Sequence, residues 1–293
     1  MTRALVAPEA GVEVLAGQSA VVALDDERDA LIDGSNAVFV YLGEKGKEYS
    51  GGSRARGLLD LLTALREAEL YSDNRRAYDR RQLKALDQSE VDLRALLPVL
   101  AGDKPLALYI DRAADIEAVI GELEEFDLDL VIVGGREAWK VRALLADKEI
   151  PVVLNPLDNV PSSFDRIGAR LDNAALLSEA GVTIAFMTED LYTEFRMLTQ
   201  GAGVAVAWGL PWEEALAAIT ANPARIWGIE DYGTIEPGQD ADIVIWDDDP
   251  LEVTSAPTTI FIRGELIDTT SRQTLLRDRY RDLDSTEPPF GYR

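Results

Sequence analysis

The sequence predicts an α/β protein built on a parallel sheet, and three observations carry that prediction. Short, continuous apolar runs recur through the first two-thirds of the chain, each ending in glycine or a polar residue. The stretches between them repeat apolar residues at helical spacing. Strand and helix alternate, which implies βα units with right-handed crossovers. Runs that are apolar throughout, without alternation, belong to strands buried on both faces.

The six runs are residues 3–8, 37–42 before Gly43-Glu44, 106–110 before Asp111, 128–133 before Gly134-Gly135, 151–154 before Asn155-Pro156, and 182–187 before Thr188-Glu189-Asp190. Helical periodicity covers 113–125 through Ile116, Val119, Ile120 and Leu123, and 136–147 through Trp139, Val141, Leu144 and Leu145. A third helix spans 171–180. Residues 53–100 are longer than one crossover. They read as a helical insertion, with helices near 54–71 and 89–97 around a solvated, charged stretch at 73–81.

After Asp190 the pattern changes. Pro211 opens a helix to about residue 220, with Glu213 and Glu214 favouring its N-terminal dipole, and Asn222-Pro223 breaks it. Gly233-Thr-Ile-Glu-Pro237-Gly238 is a turn. Residues 241–246 read as a strand, 247–250 as a turn and 258–267 as a hairpin. The boundaries expected are 1–228 for the βα portion, 229–270 for a small β module and 271–293 for a charged tail. Six buried strands fit either an open doubly wound sheet or an incomplete eight-stranded βα barrel. Both place ligands at the carboxyl ends of the strands, which directs attention to Glu44, Asp111, Gly134, Asn155 and Asp190.

Composition narrows the function. The 293 residues carry 53 acidic and 29 basic side chains, a formal charge of −24, so nucleic acid and anionic membrane surfaces are excluded as partners. No apolar run is long enough to span a bilayer. The start is too short for a signal peptide, so a cytoplasmic location is expected for the sequence as it stands, and a periplasmic one if a longer N-terminus precedes it. The chain has no cysteine and no histidine, which removes thiolate chemistry, the commonest general base and the commonest metal ligand.

The most specific segments are Gly209-Leu-Pro-Trp-Glu-Glu-Ala-Leu-Ala-Ala-Ile-Thr-Ala-Asn-Pro-Ala-Arg-Ile-Trp-Gly-Ile and Gly233-Thr-Ile-Glu-Pro-Gly-Gln-Asp-Ala-Asp-Ile-Val-Ile-Trp-Asp-Asp-Asp-Pro250. A helix, an Asn-Pro break, a Pro-Gly turn and an Ala-Asp strand occur there in fixed order. This resembles the C-terminal signature of the amidohydrolase superfamily, and most closely its imidazolonepropionase-like branch. The segments around Glu44, Asp111, Gly134-Gly-Arg-Glu-Ala-Trp139 and 271–280 resemble one bacterial subgroup of that branch. The resemblance implies an α/β fold of the incomplete (βα)8 TIM-type barrel kind with parallel strands. A small C-terminal β module would form part of a composite β-sandwich.

It also implies a hydrolase of C–N bonds in non-peptide or peptide-like amides, with a divalent metal such as Zn, Mn or Mg, acting on a small-molecule or peptide-like substrate. On this resemblance 3–8 is the third barrel strand. Glu44 matches the fourth-strand ligand. Tyr109 or Asp111 stands where the fifth-strand histidine belongs, and Gly134 where the sixth-strand histidine belongs. Asp190, or in another alignment Glu189, matches the eighth-strand aspartate. The candidates are therefore Asp190 and Glu44 as catalytic and metal-binding groups, with Arg54, Tyr109 and Asp111 binding substrate.

Each candidate has a structural alternative. Oxygen-only ligands suit Mg²⁺, Mn²⁺ or Ca²⁺ better than zinc. Glu44 and Asp190 are equally readable as carboxylates capping helices, and Asp111 and Asp115 as acids at a helix start. Gly51-Gly-Ser-Arg54 is either an anion site or a plain Ser53 N-cap. Trp139, Trp208, Trp212 and Trp227 read as core, and Asp240 and Asp242 as structural. With four ligand types replaced, the expectation is an impaired hydrolase or a non-catalytic binding or scaffold protein. Unpaired edges of an incomplete barrel call for a homo-oligomer or a complementing N-terminal segment.

Overall fold

The structure is a computed structural model and describes residues 1–25, 30–83, 85–189 and 194–281. The chain opens with four short strands, β1 (Arg3–Val6), β2 (Leu15–Gln18), β3 (Ala20–Ala23) and β4 (Leu31–Asp33). β5 (Val38–Tyr41) leads through α1 (Gly43–Gly46), α2 (Arg54–Asp73), α3 (Arg75–Asp79) and α4 (Glu90–Leu100) to β6 (Leu106–Ile110). Then α5 (Ala113–Leu123), β7 (Leu130–Gly134), α6 (Arg142–Asp147), β8 (Val152–Leu154), α7 (Asn173–Glu179) and β9 (Ile184–Phe186) follow. The rest comprises α8 (Leu198–Ala207), α9 (Trp212–Ala217), α10 (Ala221–Ile226), β10 (Ile243–Trp246), β11 (Pro257–Ile262), β12 (Glu265–Leu266) and α11 (Arg272–Arg281).

The main sheet has the order β2-β5-β6-β7-β8-β9. β5 to β9 are parallel, in even register from Val38↔Leu106 to Leu154↔Phe186, and β2 joins β5 antiparallel. Because sequential strands are neighbours, right-handed crossovers put every connecting helix on one face. The packing shows that. Val40, Leu108, Ile132, Val152 and Ile184 point to the helical side and meet Leu61, Leu93, Ile116, Leu145 and Leu177. Phe39, Tyr41, Tyr109, Val133, Val153 and Ala185 point the other way and meet Ala10, Ile226 and Trp227. The sheet is wound on one face only, so the doubly wound alternative is excluded. α2 and α4 are the β5–β6 crossover, and their Leu61, Leu65, Leu93, Leu96 and Val99 are fully buried.

Residues 3–8 correct the sequence reading. β1 is not a strand of the parallel sheet: it pairs antiparallel with β3, and β3 with β4, in a separate three-stranded sheet. A strand buried on both faces has no place for a charge, yet this one begins with a buried arginine. Arg3 donates to Asp240 and, at 3.2 Å, to Asp242, with its guanidinium 4.4 Å over the Tyr232 ring. Its far end is open, with Val6 48% exposed. The chain start is thereby tied to the segment before β10, and Asp240 and Asp242 are structural, as expected.

β10, β11 and β12 form a third sheet. The β11–β12 turn uses Arg263 and Gly264, with φ of 51° and 81°. Two positive φ values fit the right-handed twist of a hairpin. Asp242 Oδ1 accepts the Arg263 N–H at 2.7 Å and holds the strained non-glycine residue in place.

The outer edge of β9 is covered. The Phe186 N–H donates to the Ala218 carbonyl at 2.9 Å, and Asn222 Nδ2 donates to the Ile184 carbonyl at 2.9 Å. Such capping removes the row of free groups that invites another strand. Trp227 is core, stacked 5.7 Å from Phe39, but Trp208 and Trp212 are 51% and 36% exposed, against expectation. Each ends or begins a short helix at the surface. Among the described residues no helix is long and apolar enough to cross a membrane.

Candidate functional site

Polar side chains converge where β6, β7 and β9 end, and a buried arginine sits at their centre. Gly134 and Gly135 both hold positive φ, 88° and 55°, a conformation that a side chain disfavours. The turn they make is bonded to the end of β6: Gly135 N–H donates to the Ile110 carbonyl and Glu137 N–H to that of Asp111, both at 2.9 Å. The chain folds back and lays Arg136, 2% exposed, across the strand ends.

Its guanidinium donates to three carboxylates: Asp111 Oδ1 at 2.7 Å, Asp158 Oδ2 at 2.5 Å and Glu189 Oε1 at 2.6 Å. Nε reaches the Asp158 carbonyl at 3.1 Å. Arg166 adds a second cation, 2.9 Å from Asp158 Oδ2 and 3.7 Å from Asp111 Oδ2. Burial works against the Arg136 charge, but Asp111 and Glu189 more than offset it and hold the group more firmly protonated than usual.

The aromatic wall of the site comes from the strand register. Tyr41 and Tyr109 are partners on β5 and β6, and their rings stack at 5.0 Å. Tyr109 donates its hydroxyl proton to Glu189 Oε1 at 2.7 Å. Burial, then the Glu189 charge, pushes the Tyr109 phenol up, and burial and nearby acids push Tyr41 up to about 12. Lys45 lies 4.2 Å from the Tyr109 centroid. A second layer fixes the loops. Glu137 accepts from Ala113 N–H, Gly168 N–H and Lys140, and Asn173 bonds both Gly135 and Trp139. Glu137 is held below its ordinary pKa: burial opposes this, but Lys140 and the two backbone donors outweigh it.

Of the candidates read from sequence, Tyr109 and Asp111 are in this cluster. Glu44 is in α1 and pairs with Lys47. Arg54 pairs with Asp115 at 3.0 Å, at the start of α2, where Ser53 caps by accepting the Arg56 N–H. Gly134 stands at the end of β7, where a Cβ would lie 2.7 Å from Asp111 Oδ1. At a φ of 88° any side chain there is strained, and the Asp111 carboxylate would have to shift to admit one. Asn155 Oδ1 accepts the Leu157 N–H. Asp190 lies outside the described residues. Sequence reasoning missed Arg136, Asp158, Arg166 and Glu137. The signal for the first was a lone arginine straight after a strand-ending Gly-Gly in an acidic chain.

The donors do not fit a transition-metal centre. The chain has no imidazole or thiolate. Among the described residues no three carboxylates are placed to hold a metal ion. The three that converge share a guanidinium instead. A cleft of about 320 Å³ near Asn159 and Trp208 is lined by neither Arg136 nor Glu189, so this cavity and the densest ionic chemistry lie apart.

Fold and site together define an α/β protein with a one-sided parallel sheet and its polar centre at the strand ends. The Amidohydrolase family model matches residues 139–275. An amidohydrolase from Thermotoga maritima MSB8 superposes with a TM-score of 0.82 at 27% identity, over 92% of this chain and 72% of that one. Amidohydrolase tasK of Hapsidospora irregularis is 36% identical over 60% of this chain and 18% of its own length. A 5-methylthioadenosine/S-adenosylhomocysteine deaminase of Bacillus cereus is 29% identical over 36% of this chain and 26% of its own. The chain is thus similar to amidohydrolases in sequence and fold, and it spans about a fifth to a quarter of the length of these two curated relatives.

Proposed function

We propose that this chain is an amidohydrolase of the C–N-bond class, in the imidazolonepropionase-like branch, with an impaired strand-end site that binds rather than hydrolyses. The five parallel strands are read as consecutive units of an incomplete (βα)8 barrel. One observation carries the proposal: the Arg136 guanidinium spans Asp111, Asp158 and Glu189. Metal-assisted hydrolysis needs a cation that polarises a carbonyl and lowers the pKa of bound water. A guanidinium is a cation without open coordination positions, so it balances the carboxylates and activates no water. The test is metal content by plasma mass spectrometry, alongside turnover of N-acyl amino acids and dipeptides with added Zn²⁺ or Mn²⁺. Sub-stoichiometric metal and no metal-dependent turnover are expected; one bound transition metal per chain would overturn the reading.

A second reading is favoured by the unmatched length of the relatives. In it, histidine ligands come from residues outside these 293 and complete a working hydrolase. Coding sequence in frame upstream of Met1 with a His-x-His segment, and turnover by the longer product, would support it; a longer product without turnover would not.

A further inference from the structure

Residues 155–172 join β8 to α7, where a βα connection usually needs about 2–6 residues, and their middle part meets the Arg136 cluster. One end is anchored by Asn155, whose side chain accepts the Leu157 N–H at 3.0 Å. The other is anchored by Gly168, whose N–H donates to Glu137 at 2.9 Å and whose carbonyl accepts from Trp139 Nε1 at 2.8 Å. Between these anchors, backbone-to-backbone hydrogen bonds among the described residues stay inside the loop, such as that from Arg166 N–H to the Ser163 carbonyl. Apolar burial does not hold the segment down, for Phe164 and Ile167 are 94% and 66% exposed.

Charge ties residues 158–167 to the site. Asp158 covers one edge of the Arg136 guanidinium, its Oδ2 on Nη2 and its carbonyl on Nε. Arg166 closes over Asp158 and stands 3.7 Å from Asp111 Oδ2. The fit is incomplete. Both amide atoms of Asn159 and Oδ1 of Asp165 are buried without a hydrogen-bond partner. Arg112 and Arg54 stand 3.8 and 3.9 Å from that oxygen, beyond hydrogen-bond distance. Unpaired buried polar groups raise the energy of the closed form, and lifting the segment returns them to water.

We propose that residues 158–167 are a hinged strap and that Asp158 stands in for the carboxylate of a ligand, so that a small carboxylate enters the strand-end site by displacing it. This rests on the reading of that site as a binding site. Two oxygens on Nε and Nη2 are the arrangement in which a carboxylate meets a guanidinium edge. The exchange replaces one carboxylate by another and keeps the charge balance of the cluster, so an anion is accepted beside Asp111 and Glu189. A neutral amide brings no charge in return for that of Asp158 and leaves Arg136 less compensated.

Hydrogen exchange read by mass spectrometry on the full chain tests the strap, and calorimetric titration of N-acetylglycine tests the displacement, with N-acetylglycinamide and NaCl as controls. Residues 158–167 should exchange by local opening, well ahead of β6 and β7. Asp158→Asn should tighten N-acetylglycine binding about tenfold, because the closed form competes less with the ligand. Arg166→Gln, which releases the strap from Asp158, should act in the same direction and carries the test if the first variant fails to fold. N-acetylglycinamide should not bind. Exchange of 158–167 no faster than that of β6 and β7 overturns the strap, and needs no variant. Unchanged or weaker N-acetylglycine binding in the variants, or equal binding of the amide, overturns the role of Asp158. Neither readout depends on metal or turnover, so failure here is distinct from the finding of a working hydrolase.

Discussion

At the scale of single residues, Arg136 is the cation that Asp111, Asp158 and Glu189 share. Its side chain is 2% exposed and that of Asp111 is 9% exposed, so water screens the pair little. Removing one member of a buried ion pair leaves its partners uncompensated, at a cost of about 3–5 kcal/mol. Arg136→Leu should lose about that much in urea unfolding. Arg136→Lys, which keeps the charge but not the fork of donors, should fall between. A leucine variant as stable as the parent would show that the cluster organises nothing.

Tyr41 gives the second prediction at this scale. Burial, followed by Glu9, Tyr49 and Glu189, raises its phenol to about 12, while an unfolded tyrosine titrates near 10. From about pH 10 to 12 the folded chain holds the proton that the unfolded chain has released, so stability falls as pH rises through that window. Tyr41→Phe should flatten this alkaline loss in denaturation curves; an unchanged slope would remove Tyr41 as its source.

At the scale of elements, Asn222 shows what a break in a sequence can hide. Asn222-Pro223 is readable as a helix interruption, but the asparagine also caps the Ile184 carbonyl on the outer edge of β9. Asn222→Ala leaves that buried carbonyl unpaired, for about 1–3 kcal/mol. It also uncovers an edge, so light scattering should show concentration-dependent association. A variant as monodisperse and as stable as the parent would contradict the capping role.

Legibility followed the same line. β5 to β9 were readable because burial on both faces leaves an apolar run, and the helices because one face is buried. β2, β3 and β4 were not, since strands of three or four residues with half-exposed patterns carry no periodic signal. Residues 3–8 misled for the converse reason: Ala4, Leu5 and Val6 look buried, while the pairing of Arg3 with Asp240, 237 residues away, is invisible to local pattern. In the site, Tyr109 and Asp111 were found because they end a strand. Asp158 and Arg166 were not, because they come from the loop between β8 and α7 and meet Arg136 only in the fold.

At the scale of the whole molecule, a charge of −24 on 293 residues makes self-repulsion the dominant long-range force. Most ion pairs outside the Arg136 cluster are exposed and weak. Screening should therefore help more than it harms. Tm should rise as NaCl goes from about 10 to 150 mM, where the Debye length shortens to about 8 Å. A fall over that range would mean that attractive surface pairs outweigh the repulsion.

The cation among the strand-end carboxylates is fixed in another sense. Being part of the backbone's own sequence, it arrives with translation at a ratio of one per chain. No chelator strips it, no competing ion exchanges with it, and dilution does not empty its place. Growth conditions that starve cells of zinc or manganese leave this centre unchanged.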